Sequence, residues 1–386
     1  MKKYIFILLI FCLSDIYAQI QTGAQQPELY LSLLENKKVA LVVNQTSTVG
    51  SQHLVDFLLE KKINIQLIFA PEHGFRGDAD AGEKVKNSKD VATNIPLISL
   101  YGKTYRPSAE HLSGIDVVLF DIQDVGVRCY TYISTLHYVM ESCAEFNKTL
   151  LVLDRPNPNG FYVDGFVRDS AQKSFVGMQP IPMVHGLTVG ELAKMIVGEK
   201  WINNFQNLTV ISCKNYDHSM KYSLPVRPSP NLPNDLAIEL YPSLVLFEGT
   251  NISMGRGTDF PFQVLGVPLE NIKDESLKNF SFTPQSNSGS KEPPYKNILC
   301  YGTDFRQPRD WKTNFSLSPL LEYYKKTDFK GKPFFNSFFK RLAGTERLEK
   351  MILEGKNEEE IRQSWQAELE KYKEMRKKYL LYKDFE

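Results

Sequence analysis

The sequence predicts an α/β fold: a Rossmann-like, doubly wound parallel sheet followed by a smaller α+β C-terminal domain, with a cleft between them. Three observations predict it. Apolar runs without polar alternation, such as residues 117–120 and 150–153, read as parallel strands buried on both faces. Segments of helical periodicity fall between such runs, as right-handed crossovers require. Three runs also stop on acidic, amide and arginine residues: INIQLIFAPEHGFRG (63–77), IDVVLFDIQDVGVRCYTY (115–132) and TLLVLDRPNPNG (149–160). Ligands of open α/β sheets sit outside the carboxyl ends of the strands, so these polar ends are expected to converge on one site.

The elements follow in order. Lys2 and Lys3 precede a short apolar run, residues 4–13, and a small residue, Ala18. This pattern describes a secretory signal peptide, residues 1–18, too short for a comfortable transmembrane helix. No other stretch could span a bilayer. The mature protein is therefore expected to be exported, periplasmic or extracellular, with no stable membrane insertion. The catalytic domain is expected over residues 19–242. Residues 38–44 form a strand ending in Asn44-Gln45-Thr46-Ser47. Residues 51–61 form a helix with Leu54, Phe57, Leu58 and Lys61 on one face. Further strands are expected at 63–70, 95–100, 115–120 and 150–153, with a helix at 134–146. Thr188 and Glu191 fit a capping box opening another helix, and residues 208–212 are a last strand candidate. A proline-rich loop, LPVRPSPNLPN (224–234), leads to a boundary near Pro242. Residues 243–386 are less regular and close with a helix. Asn357 and Glu360 cap it, and Ile361, Trp365, Leu369, Tyr372, Met375 and Tyr379 follow at spacings of three and four.

Composition narrows the function. The net charge is +1 over 386 residues with no long basic run, so nothing favours nucleic acid. No G-x-G-x-x-G follows the first strand, and no G-x-S-x-G elbow occurs. Cys129, Cys143, Cys213 and Cys300 are widely spaced and read as buried free thiols, although export would permit a disulfide. His73 and Asp154 could join the aspartates in a metal site, but no H-x-E-H or H-E-x-x-H spacing supports one, and no metal is expected.

The candidate site residues fall in four groups. Glu72 and His73 end one strand after Pro71; a glutamate against apolar surface suits a general acid. Asp121 and Asp124 lie three apart with Arg128 four beyond, and on a loop into a helix they could share one face. They read as a base and its orienter, or as a helix cap and a structural ion pair. Asp154, Arg155 and Asn157 occupy a rigid proline turn, where Arg155 could fork onto a carboxylate. Glu248, Asn251 and Arg256 sit among glycines that let backbone approach a ligand closely. Asn44, Gln45 and Arg76, at the strand ends, complete the binding set.

APEHGFRG, LYG (100–102), DIQDVGVRCYTYIST, LDRPNPNG, HGLTVGELA, PSPNLP, EGTNISMGRGTDFPF and the closing YLLY occur in this order. Together they resemble the NamZ-like exo-β-N-acetylmuramidases over nearly the whole mature chain, about residues 38–382. Cys129 is the one mild departure, where a larger side chain is expected. The resemblance implies a glycoside hydrolase that removes terminal N-acetylmuramic acid from the non-reducing ends of peptidoglycan glycan or muropeptide fragments. It implies a catalytic role for Glu72 and no organic cofactor; protein partners are not indicated. The sugar's acetamide can itself attack the anomeric carbon. Asp121 is then the expected acetamide orienter with Asp124 as its support, and Arg76, Arg128, Arg155 or Arg256 reads the lactyl carboxylate. Two other classes compete: a non-catalytic muropeptide- or sugar-binding protein, and a metal-dependent deacetylase or amidase.

Overall fold

The computed structural model describes residues 19–75, 87–308 and 314–386. The expected signal peptide and Arg76 lie outside the described residues.

Seven strands build the main sheet: β1 (Lys38–Val43), β2 (Asn64–Ala70), β3 (Ser88–Lys89), β4 (Pro96–Ser99), β5 (Val117–Asp121), β6 (Thr149–Leu153) and β7 (Leu208–Ile211). Their spatial order is β3-β4-β2-β1-β5-β6-β7. All neighbours pair in parallel except the antiparallel edge pair β3–β4. The chain thus winds outward from β1 to one side and then from β5 to the other, which places a topological switch point between β1 and β5.

Alternate residues face opposite cores. Ala40, Val42, Val118, Phe120, Leu150 and Val152 join one core. Val39, Leu41, Val43, Val117, Leu119, Leu151 and Leu153 join the other, under α1 (Leu54–Glu60). The first face is covered by α2 (Tyr132–Glu145) and α3 (Val189–Gly198). As expected, Thr188 and Glu191 form a capping box at the start of α3. Pro242, near which the domain boundary is expected, lies inside α4 (Asp235–Leu244).

The first core runs without a break into the C-terminal half through Phe247, Leu265, Tyr323 and Trp365. There β8 (Val264–Pro268), β9 (Ser281–Phe282) and β10 (Cys300–Asp304) form a small antiparallel sheet in the order β8-β10-β9. The expected closing helix is two helices, α5 (Glu358–Gln363) and α6 (Gln366–Lys377), and the predicted capping box of Asn357 and Glu360 opens the first. The break follows from Trp365. Its ring is fully buried and meets Phe166 edge-on at 4.8 Å, so the chain turns there to seat it. Beyond α6 the chain returns to the first half, where Tyr382 donates to Asp154; the buried Arg376, in the last turn of α6, binds the Gly186 carbonyl and Asp384. No helix among the described residues is long and apolar enough to cross a membrane. Cys129, Cys143, Cys213 and Cys300 are all buried free thiols.

Candidate active site

The sheet's second strand sets the first wall. β2 ends at Ala70, and Pro71 cannot donate to a further ladder bond. His73 (φ 67°) and Gly74 (φ 77°) then take left-handed conformations, and Gly74 N–H closes a turn onto the Pro71 carbonyl. Histidine tolerates this conformation better than most residues with a Cβ. The turn carries Glu72 inward, where its Oε2 accepts from Thr131 Oγ1 at 2.6 Å. The Tyr101 hydroxyl also donates to Glu72.

Glu72 and His73 face a cavity of about 390 Å³ whose other wall comes from the C-terminal half. Glu248 and Arg256 line that wall as an ion pair, Nη2 to Oε1 at 2.9 Å, and the guanidinium lies 5.1 Å from the Phe262 ring centre. Gly255 and Gly257 are left-handed (φ 78° and 80°), and a Cβ on Gly257 would meet the Gln285 carbonyl at 2.5 Å. No other residue lets this loop turn so tightly beside the cavity. Between the two walls stand Tyr130, Tyr132 and Tyr241, and Ser229 and Asn231 of the proline-rich loop. Burial pushes the Tyr130 and Tyr241 hydroxyls well above their ordinary range, which keeps them neutral. Burial also pushes the Cys129 thiol up to about 12. Cys129 lines the cavity but is no nucleophile.

Of the expected site residues, Glu72, His73, Glu248 and Arg256 therefore line one cavity. The others that the structure describes do not. Asp121 and Asp124 lie on a segment that stays non-helical until Tyr132, so no helix face carries both. Asp121 is fully buried and forked by Arg155, with Nε at 2.5 Å and Nη2 at 2.8 Å; Arg155 also binds the Thr48 carbonyl. This pair links the carboxyl ends of β5 and β6 beside the switch point. Asp124 accepts from Gly126 N–H at 2.7 Å and stands 3.8 Å from His185 Nε2. Arg128 has no access to solvent: it donates to the carbonyls of Phe166, Ile181 and Leu342. Asp154 accepts from Thr188, Gly190 and Tyr382, and burial pushes its carboxyl up to about 6. Asn157 bridges Asn159 and Leu187. Asn44 braces Thr46, Gln45 binds the carbonyls of Arg227 and Pro228, and Asn251 binds that of Pro333. These side chains hold loops: each is bonded to protein groups and none of them lines the cavity.

The sequence reading had not singled out Tyr101, Thr131, Ser229 and Asn231. Their signal lay in LYG, YTY and PSPNLP, motifs without charge. Among the described residues no group of three histidine, cysteine, aspartate or glutamate side chains is arranged to hold a metal ion.

A cavity between a Rossmann-like sheet and a second domain, with a carboxylate under two hydroxyl donors and a carboxylate–arginine pair on its lining, is the candidate enzyme centre of this fold. Sequence models for the N-terminal and C-terminal domains of the exo-β-N-acetylmuramidase NamZ match residues 39–236 and 239–382. The peptidoglycan β-N-acetylmuramidase NamZ of Bacillus subtilis (strain 168) is 37% identical over 94% of this chain and 92% of its own. Crystal structures of two DUF1343 family proteins from Bacteroides fragilis NCTC 9343 share the fold. One has a TM-score of 0.87 at 45% identity, covering 95% of this chain and 100% of its own. The other has 0.77 at 28%, covering 94% and 99%. The chain belongs to the NamZ exo-β-N-acetylmuramidase family, and is a glycoside hydrolase.

Proposed function

We propose that this enzyme is exported and removes terminal N-acetylmuramic acid from the non-reducing ends of peptidoglycan fragments. The observation that carries the reading is Glu72, set between two hydroxyl donors and facing Arg256 across one cavity. Glu72 gives its proton to the glycosidic oxygen as the bond from that oxygen to the anomeric carbon breaks. The acetamide oxygen of the same sugar closes onto the anomeric carbon, and water then opens the ring with Glu72 taking a proton back, which retains configuration. The orienting role expected of Asp121 and Asp124 falls instead to Glu248, since neither aspartate lines the cavity. Glu248 holds Arg256 through Oε1, and Arg256 reads the lactyl carboxylate.

Glu72→Gln keeps the shape and removes the acid. Turnover of a muramyl-containing disaccharide should fall by at least about 10²-fold in the folded variant; near-full activity overturns the assignment. Release of free N-acetylmuramic acid separates this reading from a sugar-binding protein, and turnover undiminished by a chelator separates it from a metal-dependent deacetylase. Export predicts a mature chain beginning at Gln19.

A further inference from the structure

Four aromatic side chains continue the cavity outward from Glu72. Tyr101 and Phe175 line its rim. Tyr105 lies 4.6 Å from Phe175 and 5.8 Å from Tyr101 between ring centres, and Tyr138 stacks at 6.1 Å on Tyr105 and 6.4 Å on Phe175. They come from three places: the loop after β4, the outer face of α2, and a turn at 174–177. In that turn Ser174 and Gly177 exchange backbone hydrogen bonds, so Phe175 and Val176 stand at its tip. All four rings are half-buried, and none belongs to a hydrophobic core of the molecule. Rings that only stabilised the fold would be buried in one.

The cluster is also held stiffly. Ser142 on α2 donates to the Pro107 carbonyl and accepts from Arg106 Nε, and Arg106 pairs with Glu145. This fastens the loop bearing Tyr101 and Tyr105 to the helix bearing Tyr138. A rigid, exposed aromatic surface offers large contact area at little entropic cost.

Its place relative to the carboxylates gives it a side. Tyr101 reaches Glu72 through its hydroxyl. Arg256, the anion reader, sits with Phe262 on the C-terminal wall. Arg256 is thus tied to Glu248, and Glu72 to Tyr101 and through it to the aromatic rings, within one cavity. In the reaction read above, Glu72 protonates the oxygen shared by two sugars. The muramic acid ring lies toward Arg256, so the ring leaving with that oxygen lies toward Tyr101. A β-linked pyranose has an apolar face of axial C–H groups that fits flat on an aromatic ring. We propose that Tyr101, Tyr105, Tyr138 and Phe175 form a stacking platform for the sugar that leaves, an N-acetylglucosamine-type ring. The proposal rests on the muramidase reading and deepens it.

Two substrates test it. The muramyl–glucosaminyl disaccharide covers the platform. N-acetylmuramyl fluoride, whose leaving atom is too small to reach it, does not. Phe175→Leu keeps apolar volume and removes the ring, and Tyr105→Leu does the same one ring further out. For each, kcat/KM on the disaccharide should fall roughly tenfold, chiefly through KM. Hydrolysis of the fluoride should be unchanged, and Phe175→Tyr should restore the disaccharide rate. Equal losses on both substrates would mean the rings only shape the cavity, and no loss on either would mean they touch no sugar; each overturns the platform. A parent enzyme inert on both substrates would instead sink the glycosidase reading itself, and the platform with it.

Discussion

Arg128→Met separates a structural arginine from a substrate reader. Arg128 donates from Nη1 to Phe166 O (2.8 Å) and Ile181 O (3.0 Å), and from Nη2 to Leu342 O (2.8 Å). Methionine makes none of these bonds. The Ile181 carbonyl keeps the Arg168 amide, and the Leu342 carbonyl keeps the weak Cys129 thiol. The Phe166 carbonyl loses its donor inside a site closed to water. One stranded carbonyl costs about 1–3 kcal/mol, and each weakened bond about 1 kcal/mol more. Against this, the guanidinium is itself buried without a carboxylate in contact, and burial pulls its pKa below the ordinary value. Removing a desolvated charge returns roughly 1–2 kcal/mol. The net loss should be about 1–4 kcal/mol in urea unfolding. The preference for muramyl over glucosaminyl glycosides should stay as in the parent. Unchanged stability together with a lost preference would refute the reasoning, because Arg128 would then be facing substrate.

Arg256→Leu should do the opposite: fold with near-parent stability and lose a roughly 10–100-fold preference for the lactyl-bearing sugar, measured as a ratio of kcat/KM values on paired glycosides. Retained preference would send the search for the reader elsewhere. His137 gives a pH prediction. Burial first, and the charge of Lys173 second, hold its imidazole down to about 4. It stands 3.4 Å from Glu141 without a hydrogen-bonding alignment. A folded value below the unfolded one means that the unfolded chain binds the extra proton. The stability is therefore whole above about pH 6.5 and drains as pH falls towards 4, to a limit of roughly 3 kcal/mol. His137→Leu should flatten that decline, and urea midpoints at about pH 7 and about pH 4.5 decide; equal declines in both proteins refute it. Gly302→Ala should unfold the small sheet or weaken it by more than about 3 kcal/mol, since the new Cβ would lie 1.9 Å from the Leu265 carbonyl. Circular dichroism melts check it, and a parent-like melt would contradict the β8–β10 register.

Much of the fold was legible because its strands are buried on both faces. Runs such as 117–120 and 150–153 have no polar alternation, and that pattern has few alternatives in a chain that also shows helical periods. The capping boxes at Thr188 and Asn357 were legible for a local reason: two side chains three residues apart satisfy each other's backbone. The break at Trp365 was not. Its spacing within 361–379 fits one helix, and only the distant Phe166 explains why the chain turns there. The boundary read near Pro242 falls close to where the two domain models meet, between residues 236 and 239, although the proline itself sits within α4 and its neighbours join a core shared by both halves.

The site itself was half legible, and the dividing line is chemical. Charged residues at strand ends announce themselves, but a charge beside a buried sheet has two ways to be satisfied: by a ligand or by the protein. Asp121 and Arg155 satisfy each other at the switch point, the place where an open α/β sheet would ordinarily take its ligand. The cavity that Glu72 lines lies instead at the end of β2, beside walls supplied by the second domain. The walls are aromatic and hydroxyl-bearing, and such residues look in sequence like any core position. Glu72, Glu248 and Arg256 differ from Asp121, Asp154 and Arg128 in whether the fold leaves them a side open to a substrate. That depends on contacts between segments more than a hundred residues apart, such as Arg128 with Leu342 and Asp154 with Tyr382. In this architecture the polar ends of the central strands form an internal scaffold, and the cavity lined by Glu72, Glu248 and Arg256 lies at the seam that the scaffold holds.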